Sequence, residues 1–124
     1  MLHVDIPTES KTAYIAGEPL NSFIPVSLLS EELYWADSND FHKSEGIVGI
    51  TEQSAVSQGV ELLVFTEGLV EFNGWAWNVG KRIFLVGNVL SEIPPNAGFL
   101  VSVGHAVTST SIFLKISEVI DLGT

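Results

Sequence analysis

A hydrophobic period of two constrains this chain more than anything else in it. In "VELLVFTEGLVEF" (Val60–Phe72), Val60, Leu62, Val64, Val70 and Phe72 fall on one face, while Glu61, Glu67 and Glu71 fall on the other. Successive side chains of a strand point to opposite sides, so the pattern predicts a half-buried strand, or two strands joined at Glu67-Gly68. Leu63, Phe65 and Leu69 interrupt the polar face, which predicts that part of that face is covered as well.

The same test yields further strands. "RIFLVG" (Arg82–Gly87) is a short apolar run closed by the turn signal Gly87-Asn88. "FLVSVGHAV" sets Phe99, Val101, Val103, His105 and Val107 against Leu100, Ser102, Gly104 and Ala106. "SIFLKIS" sets Ile112, Leu114 and Ile116 against Ser111, Phe113, Lys115 and Ser117. The intervening Thr108–Thr110 is of hairpin length, so these two strands are expected to pair antiparallel. Pro94, Pro95 and Gly98 form a rigid turn that aims the first of them, and Gly104 with Ala106 leaves room for close packing. "GIVGIT", "ELYWA" and "SFIPVSL" are weaker strands, and Pro25 calls for an edge position or a bulge in the last. "SLLSEELYWA" (Ser27–Ala36) has helical caps as well as strand character and is read as strand.

The expected fold class is all-β: a compact antiparallel β-barrel or β-sandwich, residues 17–124, preceded by an extended N-terminal arm, residues 1–16, with at most one strand at "TAYIAG". A length of 124 residues suits one domain, and 46% apolar residues are enough for a real core. The longest apolar runs are too short to span a bilayer. "MLHVDIPTES" lacks the basic region and apolar stretch of a signal peptide, so a soluble, leaderless protein is expected. Without cysteine, disulfides and thiolate metal sites are excluded.

Fifteen acidic residues against five basic ones give a net charge of −10, which argues against nucleic acid as a partner. Yet only 16% of residues are charged, a low share for so short a chain. That shortage predicts that another subunit covers some of the surface.

No catalytic constellation emerges. His3, His42 and His105 are far apart and lack partners at metal-ligand spacing. "DSND" (Asp37–Asp40) begins like a calcium loop, but its sixth position is His42 rather than Gly and its twelfth is Val48 rather than Glu. An Asx-turn in a hairpin accounts for it better. G-x-S-x-G and phosphate-binding glycine loops are absent. Alternate glutamates on Val60–Phe72 stand about 7 Å apart, a spacing glycosidases use, but a solvated sheet face explains them more simply. No enzyme activity, cofactor or metal is expected.

The aromatic residues carry the remaining signal. "NGWAWN" (Asn73–Asn78) is expected to set Trp75 and Trp77 on one strand face, as a subunit anchor, a core pair or a sugar-stacking platform. His105 shares its strand with valines and reads as a core or interface residue. Trp75, Trp77, Phe99, His105 and Phe113 are the candidate interface residues.

"GWAWNVGKRIFLVGNVLSEIPPNAGFLVSVGHAVTSTSIFLKISEVIDL" resembles a cassette of small tailed-phage virion proteins: Gly-Lys, an apolar strand ending in Gly, a Pro-containing turn, "VG-x-A" and a closing strand. "GEPL", "LYWADSND", "EGIVGIT" and "VFTEGLVEF" resemble the upstream strands, so the likeness runs from about Gly17 to Leu122. The bulky "WAW" and the acidic first thirty residues depart from it. The resemblance implies a capsid decoration (cement) protein that stabilises the head shell, or a short fibre or tail component. It also implies a homotrimer in the virion, assembled in the host cytoplasm, with the major capsid protein or tail and fibre proteins as partners. The alternative is a carbohydrate-binding receptor-recognition module using Trp75 and Trp77. Neither reading calls for nucleic acid or membrane.

Overall fold

The computed structural model describes residues 10–123, and its architecture is organised by one long strand, β5 (Glu61–Glu71). The first half of β5 pairs antiparallel with β1 (Ser10–Ala16) and with β4 (Ile47–Thr51). Between β4 and β1 lie β2 (Pro25–Leu29) and β3 (Glu32–Trp35), in the order β1-β3-β2-β4-β5. The β1–β5 pairing closes these five strands into a barrel, with only β1–β3 parallel. Closure removes the exposed strand edges that would otherwise recruit other chains.

The second half of β5 leaves the barrel and starts a wing. Gly68–Glu71 pairs with β10 (Ser111–Leu114), and the sheet continues through β9 (Ser102–Thr108), β6 (Arg82–Val86) and β7 (Val89–Ser91). A small separate sheet joins β8 (Phe99–Leu100) to β11 (Ile120–Asp121). Alternation on β5 serves both parts. Leu62 and Val64 belong to the first core, with Val26 and Leu33, while Val70 joins Ile83, Leu85, Val103 and Ile112 in the second. Phe65 points to the opposite side from Val64 and is buried in the second core with Ile47 and Ile50. The covered second face predicted for this strand is therefore the barrel wall on which the wing packs.

The all-β, mainly antiparallel expectation holds. The β9–β10 hairpin turns at Ser109-Thr110. Ser27–Ala36 is a hairpin: Ser30 and Glu31 both have positive φ, as a tight turn matched to strand twist requires. Pro25 sits in an internal strand, but at its first residue, and a register shift follows between Val26 and Ser27.

Four readings need correction. The strand expected at "TAYIAG" is present, but it begins at Ser10 and is a wall of the barrel rather than part of an arm, its register against β5 fixed over Lys11–Ile15; residues 1–9 of the expected arm lie outside the described residues. "DSND" contains the Asx-turn, Asn39 N–H donating to Asp37 Oδ1, but leads into a short helix, α1 (Phe41–Glu45). Asp40 caps it by accepting from Lys43 N–H. The last strand stops at Leu114, not Ser117. Finally, Phe99–Val107 does not keep one face. Val101 and Val103 are buried, but so is Ala106, while His105 and Val107 are exposed. The switch occurs at Gly104, where φ is +150°.

Gly104 is required twice over: its φ disfavours any side chain, and a Cβ would collide with the Phe113 carbonyl oxygen. Gly80, by contrast, has φ +86° with open space around it. Chemical denaturation should show Gly104→Ala costing roughly 2–4 kcal/mol and Gly80→Ala about 1 kcal/mol. Equal costs would mean that the close strand approach at Gly104 contributes nothing.

Candidate functional site

Two surfaces gather the aromatic residues. The first is built by the segment between β5 and β6, where Trp75 and Trp77 lie in an extended loop rather than a strand. Alternation survives there, with both tryptophans half-buried and Ala76 exposed. Backbone bonds hold the loop down: Trp75 N–H donates to the Phe72 carbonyl at 3.1 Å and Trp77 N–H to the Ser109 carbonyl at 2.8 Å. Phe23 and Phe72 stack at 4.3 Å, and Trp75 meets both edge-on. Trp77 tilts 45° to Trp75, with ring centroids 5.8 Å apart.

Phe23, Trp75 and Trp77 border a cavity of about 280 Å3, completed by Ile24, Pro25, Trp35, Asn88, Val89 and Leu90. Its surroundings are unusually apolar for surface. Val89, on its lining, is 54% exposed, and Val79 and Ile93, two and three residues along the chain from the lining residues Trp77 and Leu90, are 70% and 76% exposed. Glu92 links the two loops that carry Val79 and Ile93: its carboxylate accepts from the Asn78 backbone N–H and, at 2.9 Å, from the Asn78 side-chain amide. Among the described residues, Trp77 Nε1 is the one buried side-chain polar atom without a hydrogen-bond partner.

The second surface is the outer face of the wing. Register places Leu69, Phe113, His105 and Arg82 side by side across β5, β10, β9 and β6. His105 stacks on Phe113 at 5.8 Å, and Leu69 and Val107 are 44% and 41% exposed. Arg82, His105 and Lys115 line a hollow of about 400 Å3 with Gly104, Phe113, Ile116 and Ser117. Arg82 Nη1 donates to Ser102 Oγ at 3.2 Å. Neither Arg82 nor Lys115 has a carboxylate within ion-pair distance among the described residues.

The five candidate interface residues thus divide into three places. Trp75 and Trp77 come together, as do His105 and Phe113. Phe99 sits apart on β8, half-buried and tilted against Phe41 of α1 at 5.4 Å. His105 is exposed and not a core residue. Sequence reasoning missed Phe23, Trp35 and Arg82, which reach these surfaces only through long-range pairing. The turn at Ser109-Thr110 sets the Phe113–His105 register, whereas the Arg82–His105 pairing joins β6 to β9 across a long connection that no local signal announces. Glu61, Glu67 and Glu71 stay exposed along β5 and line neither hollow. Among the described residues no group of three or more His, Asp or Glu side chains could hold a metal ion. No known protein family, curated protein or solved structure matches the chain.

The loop tie is pH-sensitive. Bonds from Asn78, backbone first and side chain second, hold the Glu92 carboxyl below its ordinary value. A depressed folded-state pKa means the stabilisation is present at neutral pH and is lost as pH falls through that lowered value. An NMR titration should therefore show the Asn78 amide shifting at a pH below the ordinary carboxylate range. Glu92→Gln should abolish that transition, and an Asn78 shift retained in that variant would remove Glu92 as its cause.

Proposed function

We propose that this chain is a structural protein of a tailed-phage virion. In this reading it is an oligomeric module, most simply a trimer, that docks on a head shell or a tail surface rather than carrying out a reaction. The observation that supports the reading most is the tryptophan-lined cavity, with Val89 exposed on its lining and Val79 and Ile93 exposed in the loops that follow Trp77 and Leu90. Large apolar groups standing in water at a preformed aromatic hollow gain free energy when a partner covers them, roughly 25 cal/mol for each Å2 buried. Tryptophan is the side chain most often found at the energetic centre of such contacts. The closed barrel supports the same reading, because it offers a rigid base for a docking loop.

A glycan-binding reading of the same tryptophans is less well served. A sugar ring needs an accessible aromatic face together with several polar partners. Here Trp75 is packed edge-on against Phe23 and Phe72, the Trp77 indole N–H is buried, and only Asn88 brings a polar side chain to the cavity lining. An apolar side chain or backbone segment of a protein suits the hollow better.

The test is co-sedimentation of the purified protein with phage heads and, separately, tails. The wild type is expected to sediment with one of the two. Ile93→Asp should remain folded by circular dichroism and lose most of that binding, at least about tenfold. Failure of the wild type to bind either structure contradicts the proposal. Binding of a glycan array abolished by Trp75→Ala, with folding intact, would replace it by the carbohydrate reading.

A further inference from the structure

The outer face of the wing is charge-polarised in a way the tryptophan surface is not. Of the seven residues that line its hollow, Arg82 and Lys115 are cationic and none is acidic. In a chain with only five Lys and Arg residues and a net charge of −10, this is a local reversal of sign. Across the same face, on β5, Glu67 and Glu71 flank the exposed Leu69. Glu71 accepts one hydrogen bond, from Thr110 Oγ1 at 3.3 Å, and neither glutamate is ion-paired among the described residues. Leu69, Phe113 and Val107 lie between the charged ends. Arg82 lies three strand spacings from β5, about 14 Å, and Lys115 follows β10, the strand next to β5, yet neither is ion-paired with Glu67 or Glu71 among the described residues.

We infer that a second copy of this chain docks on the outer face of the wing, its Glu67 and Glu71 carboxylates entering the hollow formed by Arg82 and Lys115. The inference rests on the oligomer proposed above and names the surface that makes it. Charge complementarity selects the occupant. A face that is acidic along one side and basic along the other is matched by a copy of itself turned or displaced so that opposite sides meet. Elsewhere two chains of net charge −10 repel, so this hollow also fixes how they approach. The Arg82 guanidinium spends one donor on Ser102 and keeps a fork for a carboxylate. The half-buried Phe113 and the exposed Leu69 and Val107 supply the apolar centre that charge pairs alone do not.

Sedimentation velocity across a concentration series tests the pairing, with thermal melts to confirm folding. Arg82→Glu should weaken self-association at least about tenfold, and so should the double variant Glu67→Lys with Glu71→Lys. These three changes together with Lys115→Glu in one chain should restore it, because the charges of the two sides are then exchanged rather than lost. Lys115→Glu is an independent variant on the same hollow, should Arg82→Glu perturb folding. Lys43→Glu, on α1, should leave association unchanged. Variants with either charged side reversed that assemble as well as the wild type overturn the pairing and leave the oligomer reading standing. A wild type that remains monomeric at high concentration overturns both.

Discussion

The structure depends on a single strand serving two cores. β5 contributes Leu62 and Val64 to the barrel core, then Val70 to the core beneath the wing, with Phe65 turned to the opposite side of the barrel wall. Gly68, at φ +93°, lies where the strand passes from one role to the other. Neither sheet could be built without it, since β5 closes the barrel against β1 and starts the wing against β10. The same strand positions both candidate surfaces. Phe65 stacks on Phe23 at 6.2 Å, and Phe23 carries Phe72 and Trp75. Leu69 opens the row that ends at Arg82. Disturbing the centre of β5 therefore reaches every surface discussed above.

The two surfaces differ in chemistry, and the difference suits a building block with two partners. Around the tryptophans, the cavity lining is aromatic and aliphatic and the one buried indole N–H stands unpaired. On the wing, acidic and basic groups flank an apolar centre. An apolar hollow fits a partner of fixed, different shape, whereas a face carrying both signs of charge complements itself. In the proposed virion role the first would meet the shell or tail and the second a neighbouring copy. The scarcity of charge in the whole chain then has a simple cause, because surface destined for contact is poorly served by solvated ions.

Much of the fold was legible because period-two alternation is a local property. Val60–Phe72, Arg82–Gly87 and the first four residues of Ser111–Ser117 were readable from the side chains themselves, down to the covered second face of β5. Readings failed where a long-range contact overrides the pattern. At Gly104 the alternation changes phase because the chain must pass against the Phe113 carbonyl, and nothing nearby in sequence announces Phe113. Trp75 and Trp77 alternate like strand residues, yet their backbone bonds go to Phe72 and Ser109 and to no neighbouring strand. The strand at "TAYIAG" was legible, but its polar start reads as an arm, and only the ladder that β5 offers makes it part of the barrel. Of the sites, the aromatic residues could be named from sequence, while their grouping into two surfaces, and the place of Arg82 in one of them, arise only from register.

The central claim is that this molecule acts by having these two surfaces covered. Hydroxyl-radical footprinting of the wild type, alone at low and high concentration and then bound to phage particles, measures that coverage residue by residue. The account predicts that Leu69, Phe113 and His105 lose reactivity as concentration rises. It also predicts that Trp77, Val79 and Ile93 lose theirs only when phage particles are present. Unchanged reactivity at both sets of residues, in the assembled and particle-bound protein, would contradict it.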